Sequence, residues 1–166
     1  QHENYAVLTL HRPSNVDSPE ALKPLMAAVN DVAERMPVIF PAHPRTRAKL
    51  KEFDIETPKI EVIDPLGYLD FLALYSRAKF VMTDSGGLQE ETTYLGIPCL
   101  TIRENTERPV TVELGTNQLI GTDPEKLKLA AFRILDFPPP APNEKPPLWD
   151  GQTAARICDF LSEPPA

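Results

Sequence analysis

Cysteine is scarce in this chain, with only Cys99 and Cys158 among 166 residues. Two cysteines give no disulfide framework and no metal-ligand spacing, so both are read as free thiols, buried or partly buried. Positive charge is short too: 17 Lys and Arg stand against 24 Asp and Glu, for a formal net charge of -7. That balance argues against a broad footprint on nucleic acid or an anionic membrane and leaves room for a local basic site gripping one phosphate ligand. No apolar run approaches the roughly 20 residues of a transmembrane helix. The opening QHENYAVLTLHR lacks the basic region and cleavage pattern of a signal peptide and falls almost directly on a strand, so the chain is expected to be part of a longer one. What remains is ordinary for a globular domain: 42% hydrophobic and 25% charged residues, in a length suited to one core.

Proline is plentiful, at 19 residues, many of them in FPPPAPNEKPPLWDG. Proline fixes φ and lacks the backbone donor, so this stretch is neither a helix nor a central strand. Residues 138–166 are read as an extended crossing segment followed by a last helix, with Trp149 packing the tail onto the domain.

Ahead of it, short apolar runs alternate with amphipathic stretches. The runs YAVLTL (5–10), VIFPA (38–42), IEVI (60–63), FVMT (80–83), PCLTI (98–102) and NQLIG (117–121) predict strands. Ser18 as N-cap and Pro19 at the first helical position open a long helix. RTRAKLKEF, LDFLALYSRA and GLQEETTYL supply further helices, the last closed by Gly96, and Pro124 to Leu135 and Thr153 to Leu161 complete the set. Apolar strands separated by helices mean a parallel sheet covered on both faces, a doubly wound α/β fold. Such sheets bind ligands beyond the carboxyl ends of their strands.

Those ends carry His11 and Arg12; His43, Arg45 and Arg47; Asp64 to Tyr68; Asp84 to Gly87; and Arg103 to Arg108. Histidines and arginines gathered on one rim of an acidic chain point to an anion site. A Ser85-Gly86-Gly87 turn opening a helix lets backbone N–H groups approach an anion, with the helix dipole aimed at it. Ser85 can cap that helix, donate to a phosphate oxygen, or both. Glu90 and Glu91, one turn on, either grip hydroxyls such as those of a ribose or are solvated acids on a helix surface. The pattern is neither a P-loop nor a G-x-G-x-x-G fingerprint. His11 serves as a phosphate donor, a proton carrier or a structural histidine; its spacing to His43 and the lack of a third ligand argue against metal.

The stretch TDSGGLQEE (83–91) resembles the signature of the non-hydrolysing UDP-N-acetylglucosamine 2-epimerases. LTLHRPSN (8–15), HPRTR (43–47), DPLGYLDFL (64–72), LGIPCLTIRENTERPVTVELGTNQLIG (95–121) and PPLWDGQTAARI (146–157) agree, so the likeness spans nearly the whole chain. It implies a Rossmann-like C-terminal domain of a GT-B fold, with residues 1–166 forming one UDP-binding domain and the N-terminal domain, which carries the proton-transfer carboxylates, absent. It implies interconversion of UDP-N-acetylglucosamine and UDP-N-acetylmannosamine by elimination of UDP to 2-acetamidoglucal and re-addition, with no cofactor and no metal. The implied setting is a cytoplasmic homodimer serving cell-envelope polysaccharide biosynthesis.

By motif position, Ser85, Gly86 and Gly87 hold the diphosphate, Glu91 the ribose with Glu90 as helper, and Pro65, Leu66 and Phe71 frame the uracil. His11 assists the leaving phosphate, Arg12 and Arg108 neutralise charge or shape the cleft, and His43 and Arg45 fall in a motif linked to a second, regulatory UDP-sugar. The family commonly carries two arginines after its histidine; here Pro13 takes the second place. Two other readings are the donor-binding half of a GT-B glycosyltransferase and a nucleotide-binding module without chemistry.

Overall fold

The computed structural model describes residues 4–140 and 145–162. Parts of the expected crossing segment (141–144) and of the C-terminal stretch (163–166) lie outside the described residues. The elements follow in the order β1 (Ala6–Thr9), α1 (Pro13–Val16), α2 (Pro19–Ala33), β2 (Val38–Pro41), α3 (Pro44–Glu52), β3 (Ile60–Ile63), α4 (Tyr68–Tyr75) and β4 (Phe80–Thr83). Then come α5 (Gly86–Leu95), β5 (Cys99–Thr101), α6 (Pro109–Glu113), β6 (Asn117–Leu119), α7 (Pro124–Asp136) and α8 (Thr153–Ser162). The six expected strands are all present: β3 and β4 match the expected ranges, and the other four are trimmed to three or four residues. The short helices α1 and α6 were not read from sequence, being too brief to show a period.

The strands form one parallel sheet in the order β3-β2-β1-β4-β5-β6. This is the doubly wound order in which the direction of winding reverses between β1 and β4. Side chains alternate between the two faces, as strand geometry requires. Ala6, Leu8, Phe80 and Met82 join α2 and α7 through Leu22, Met26, Val29, Leu127 and Ile134. Val7 and Val81 point the other way, onto Tyr75, Ala78, Leu88 and Ile97. A sheet buried on both faces explains why its strands read as continuous apolar runs.

Helix boundaries follow local chemistry. The Ser18 hydroxyl accepts from the Ala21 N–H at 3.3 Å, and Asp123 caps α7 through the Glu125 and Lys126 N–H groups. Gly96 ends α5 at φ 72°, a left-handed position that glycine adopts without strain. The expected burial of both thiols fails for Cys158: Cys99 is buried in β5, but Cys158 is exposed on α8. None of the residues of α8 is buried, and Ile157, Phe160 and Leu161 stand open.

Candidate functional site

The point where winding reverses brings the end of β1 against the end of β4, and two predicted motifs meet there. Asp84, fully buried, follows β4. Its carboxylate accepts the backbone N–H groups of His11 (3.0 Å) and Arg12 (2.8 Å) and the side-chain amide of Asn15 (3.1 Å). The His11 ring is half exposed, and its Nδ1 lies 2.9 Å from Asp84 Oδ1. Arg12 Nε donates to the Asp84 carbonyl at 3.2 Å. The hydrogen bond to Asp84 raises the His11 pKa above its ordinary 6.5, against partial desolvation and the nearby Arg12 charge. Burial pushes the Asp84 carboxyl upward, but the His11 ring and the Arg12 and His11 N–H groups outweigh it, and the net shift is down.

The Ser-Gly-Gly stretch differs in detail from the expected turn. Gly86 and Gly87 are the first two residues of α5 itself, and neither has a positive φ. Ser85 holds the N-cap position with extended backbone, but its hydroxyl makes no cap bond; its own N–H donates to Thr83 Oγ1 at 2.9 Å. The fold does not explain the glycines. A Cβ on Gly87 would meet nothing within 4 Å, and one on Gly86 would touch only Arg103 and Glu107 side-chain atoms at 3.8 and 3.9 Å. Glycine disfavours a helix by about 0.5–1 kcal/mol relative to alanine. Two of them at an uncapped helix start leave bare N–H groups and open space, as close approach of an anion requires.

Behind that start lies a buried polar network that was not anticipated. Gln89, fully buried, donates to the Ser85 carbonyl at 3.0 Å and accepts from Thr106 Oγ1 at 2.6 Å and Asn117 Nδ2 at 3.1 Å. Asn117 in turn accepts from Thr101 at 2.5 Å. The network ties the first turn of α5 to β5, β6 and the NTERP loop, so the loop's role at the site is to fix the helix. Arg103, nearly buried, forks onto Glu107 at 2.9 and 2.6 Å beside Gly86, and this bond holds the Glu107 carboxyl down at about 2. The residues themselves are plain in the sequence, but the pairing of Gln89 with Thr106 and Asn117, across 17 and 28 positions, is a tertiary fact.

Glu91 faces a different hollow, a 460 Å³ cavity between α4 and α5 walled by Tyr68, Leu72, Tyr75, Tyr94 and Trp149. Tyr75 O–H donates to Glu91 Oε2 at 2.5 Å, and burial first, then this bond, drives its pKa far up, so the phenol remains a donor. Trp149 thus does pack the tail on the domain, and also walls the cavity that holds Glu91. Glu90 and Arg108, expected in separate roles, form one ion pair at 3.2 Å.

His11, Pro65, Leu66 and Phe71 line a 210 Å³ cavity at the ends of β1 and β3, together with His43. His43 therefore shares a hollow with the expected uracil frame, while Arg45 turns away to pair with Asp17 at 2.5 Å. His43 Nδ1 accepts the Arg45 N–H at 3.3 Å and caps α3. The two residues expected in one regulatory site are bonded only in this local sense. Among the described residues no helix is long and apolar enough to cross a membrane.

Fold and site define a Rossmann-like α/β domain of the GT-B type, with an uncapped, glycine-opened helix start at the point where the winding reverses. The family model described as UDP-N-acetylglucosamine 2-epimerase matches residues 1–162. The chain belongs to that family. It is 42% identical to the UDP-N-acetylglucosamine 2-epimerase of Methanocaldococcus jannaschii over 96% of this chain and 45% of that protein. It is 33% identical to the UDP-2,3-diacetamido-2,3-dideoxy-D-glucuronate 2-epimerase of Pseudomonas aeruginosa, over 97% and 45%. The crystal structure of the M. jannaschii enzyme in complex with UDP-GlcNAc and UDP superposes with a TM-score of 0.83, covering 96% of this chain and 45% of that one. The chain therefore spans about half the length of the curated relatives it matches.

Proposed function

We propose that this chain is the UDP-binding half of a non-hydrolysing UDP-N-acetylglucosamine 2-epimerase. In this reading the diphosphate sits over the Gly86 and Gly87 N–H groups, Glu91 holds the ribose hydroxyls, and Pro65, Leu66 and Phe71 frame the uracil. The single observation that carries it is the meeting of His11 with an uncapped, glycine-opened helix start whose glycines the fold does not need.

The reaction assigns each group a task. A base takes the proton at sugar C2, its electron pair forms the C1–C2 double bond, and the C1–O bond breaks toward the β-phosphate. Negative charge grows on that phosphate. Fixed N–H donors, the α5 dipole, Arg12 and a protonated His11 stabilise it without reorganising. UDP stays bound while the glucal intermediate is protonated on the other face, then adds back. The base belongs to a second, N-terminal domain, and the intact enzyme is a cytoplasmic homodimer of cell-envelope polysaccharide synthesis. Arg108 shapes the cleft through Glu90, and a regulatory UDP-sugar at His43 and Arg45 would have to displace Asp17 from Arg45.

The test is a calorimetric titration of the chain with UDP, repeated on Glu91→Ala and Ser85→Ala, followed by an epimerisation assay with the second domain restored. Weaker UDP binding in both variants is expected. Equal binding by all three proteins would remove the site assignment.

A further inference from the structure

A buried carboxylate beside a diphosphate site needs a reason. Asp84 is fully buried at the end of β4, where its negative charge opposes that of the leaving group. Three of its contacts, to the His11 and Arg12 N–H groups and to Asn15, fasten the β1–α1 turn. Any acceptor of the right shape could supply those. The fourth, to His11 Nδ1 at 2.9 Å, is different, because only a negative charge there favours the imidazolium over the imidazole.

Resting on the epimerase reading above, we propose that Asp84 is the positioning residue that keeps a proton on His11 Nδ1 and presents Nε2–H to the β-phosphate oxygen released from sugar C1. Among the described residues Nε2 has no hydrogen-bond partner, and the ring lines the open cavity with Phe71 and Leu66. A ring whose Nδ1 proton is held by a carboxylate has a fixed orientation, so Nε2 is the free nitrogen in both charge states. As a cation it donates to the departing oxygen, which keeps the electron pair of the broken C1–O bond. On re-addition that pair attacks C1, and the donation relaxes with no net proton transfer. The other charged or titratable groups around the pair are Arg12 on the same turn, His43 across the cavity, Arg103, whose charge reaches Asp84 from just beyond β5, and Glu107, which is paired with Arg103 and also feels Arg12. Arg12 and Arg103 are balanced by Asp84 and Glu107, so the proton held on His11 supplies the net positive charge on the diphosphate side.

The test is a pH titration of the nucleotide-free chain labelled at histidine, followed by ring ¹³C and ¹⁵N NMR, with His11 assigned by loss of its signals in His11→Gln. The expected result is titration above the ordinary value near 6.5 and an Nδ1–H tautomer in the neutral form. Titration at or below that value, or a mainly Nε2–H tautomer, would overturn the proposal on the unmutated protein, whatever becomes of any variant. Asp84→Asn is the second arm: the His11 midpoint should fall by about one pH unit, as loss of a close opposite charge dictates. An unchanged midpoint in folded Asp84→Asn also refutes it.

UDP affinity measured from pH 5 to 9 then connects the pair to the ligand. The fall in affinity with rising pH should move to lower pH in Asp84→Asn and vanish in His11→Gln. The nucleotide's own terminal phosphate titrates near pH 6, and comparison among the three proteins cancels it. Absence of UDP binding would count against the nucleotide reading, whereas the nucleotide-free titration judges the Asp84–His11 pair alone.

Discussion

At the scale of single residues, Glu91 is the most informative target. It lies in an aromatic-walled cavity with Tyr75 O–H at 2.5 Å from one oxygen and Tyr68 O–H at 3.4 Å from the other, the longer contact being the one a diol would replace. Glu91→Gln is expected to weaken UDP about tenfold, or ~1.4 kcal/mol, as for one lost charge-assisted pair of hydrogen bonds. Calorimetry with UDP and its 2′-deoxy analogue checks this: the variant should barely distinguish the two. The pH dependence of stability has a definite sign. The raised His11 pKa contributes stability that is complete below 6.5 and is lost as pH rises through the higher folded value. The lowered Asp84 pKa contributes stability present above 3.8 and lost as pH falls through its lower folded value. Denaturation midpoints of the parent chain and His11→Gln should therefore differ most between about pH 4 and 6.5 and converge toward pH 9. The two thiols also separate: Cys158 is exposed, whereas burial pushes Cys99 up to about 11. A thiol reagent should titrate one group in the native chain and two after unfolding.

Among elements, α5 carries the argument. Its first two residues give up helix propensity and its last gains a cap, so the helix is tuned at its start for something other than stability. Gly87→Ala puts a methyl group into open space. It should raise the melting temperature slightly, by up to about 1 kcal/mol or 2–4 °C, while cutting UDP affinity at least about tenfold. Gly115→Ala is the contrasting control. Its Cβ would lie 2.5 Å from the Thr111 carbonyl oxygen and from Thr93, so destabilisation of about 1–3 kcal/mol is expected without a specific effect on nucleotide. Thermal melts alongside calorimetry separate the two behaviours. Elements were legible in sequence where a period or a recognised cap existed: Ser18 and Gly96 mark ends that the structure keeps. The helices α1 and α6, of four and five residues, left no such mark.

For the whole molecule, the candidate site runs along the carboxyl edge of the sheet, and in the proposed reading the base at sugar C2 belongs to a second domain. The chain alone is expected to bind UDP and to show no epimerisation by coupled assay of product nucleotide sugar. Measurable turnover by the chain alone would contradict the division of labour proposed here. Exposed Leu66, Tyr68, Ile157, Phe160 and Leu161 lie on the edge loop, on α4 and on α8, so self-association at high concentration is expected where these surfaces are uncovered.

The sequence by itself determined the class of fold, because alternating apolar runs and amphipathic helices admit few arrangements. It also marked the rim residues, because ligand chemistry at the carboxyl ends of parallel strands is a rule of topology. Only the tertiary structure decided which of them meet. Asp84 reaches His11 across 73 positions, Gln89 reaches Asn117 across 28, and Glu90 is joined to Arg108 rather than to its neighbour Glu91. Those contacts depend on which strands lie side by side. Local sequence sets period, caps and turns, but strand order is fixed by how the two faces of the sheet are buried together.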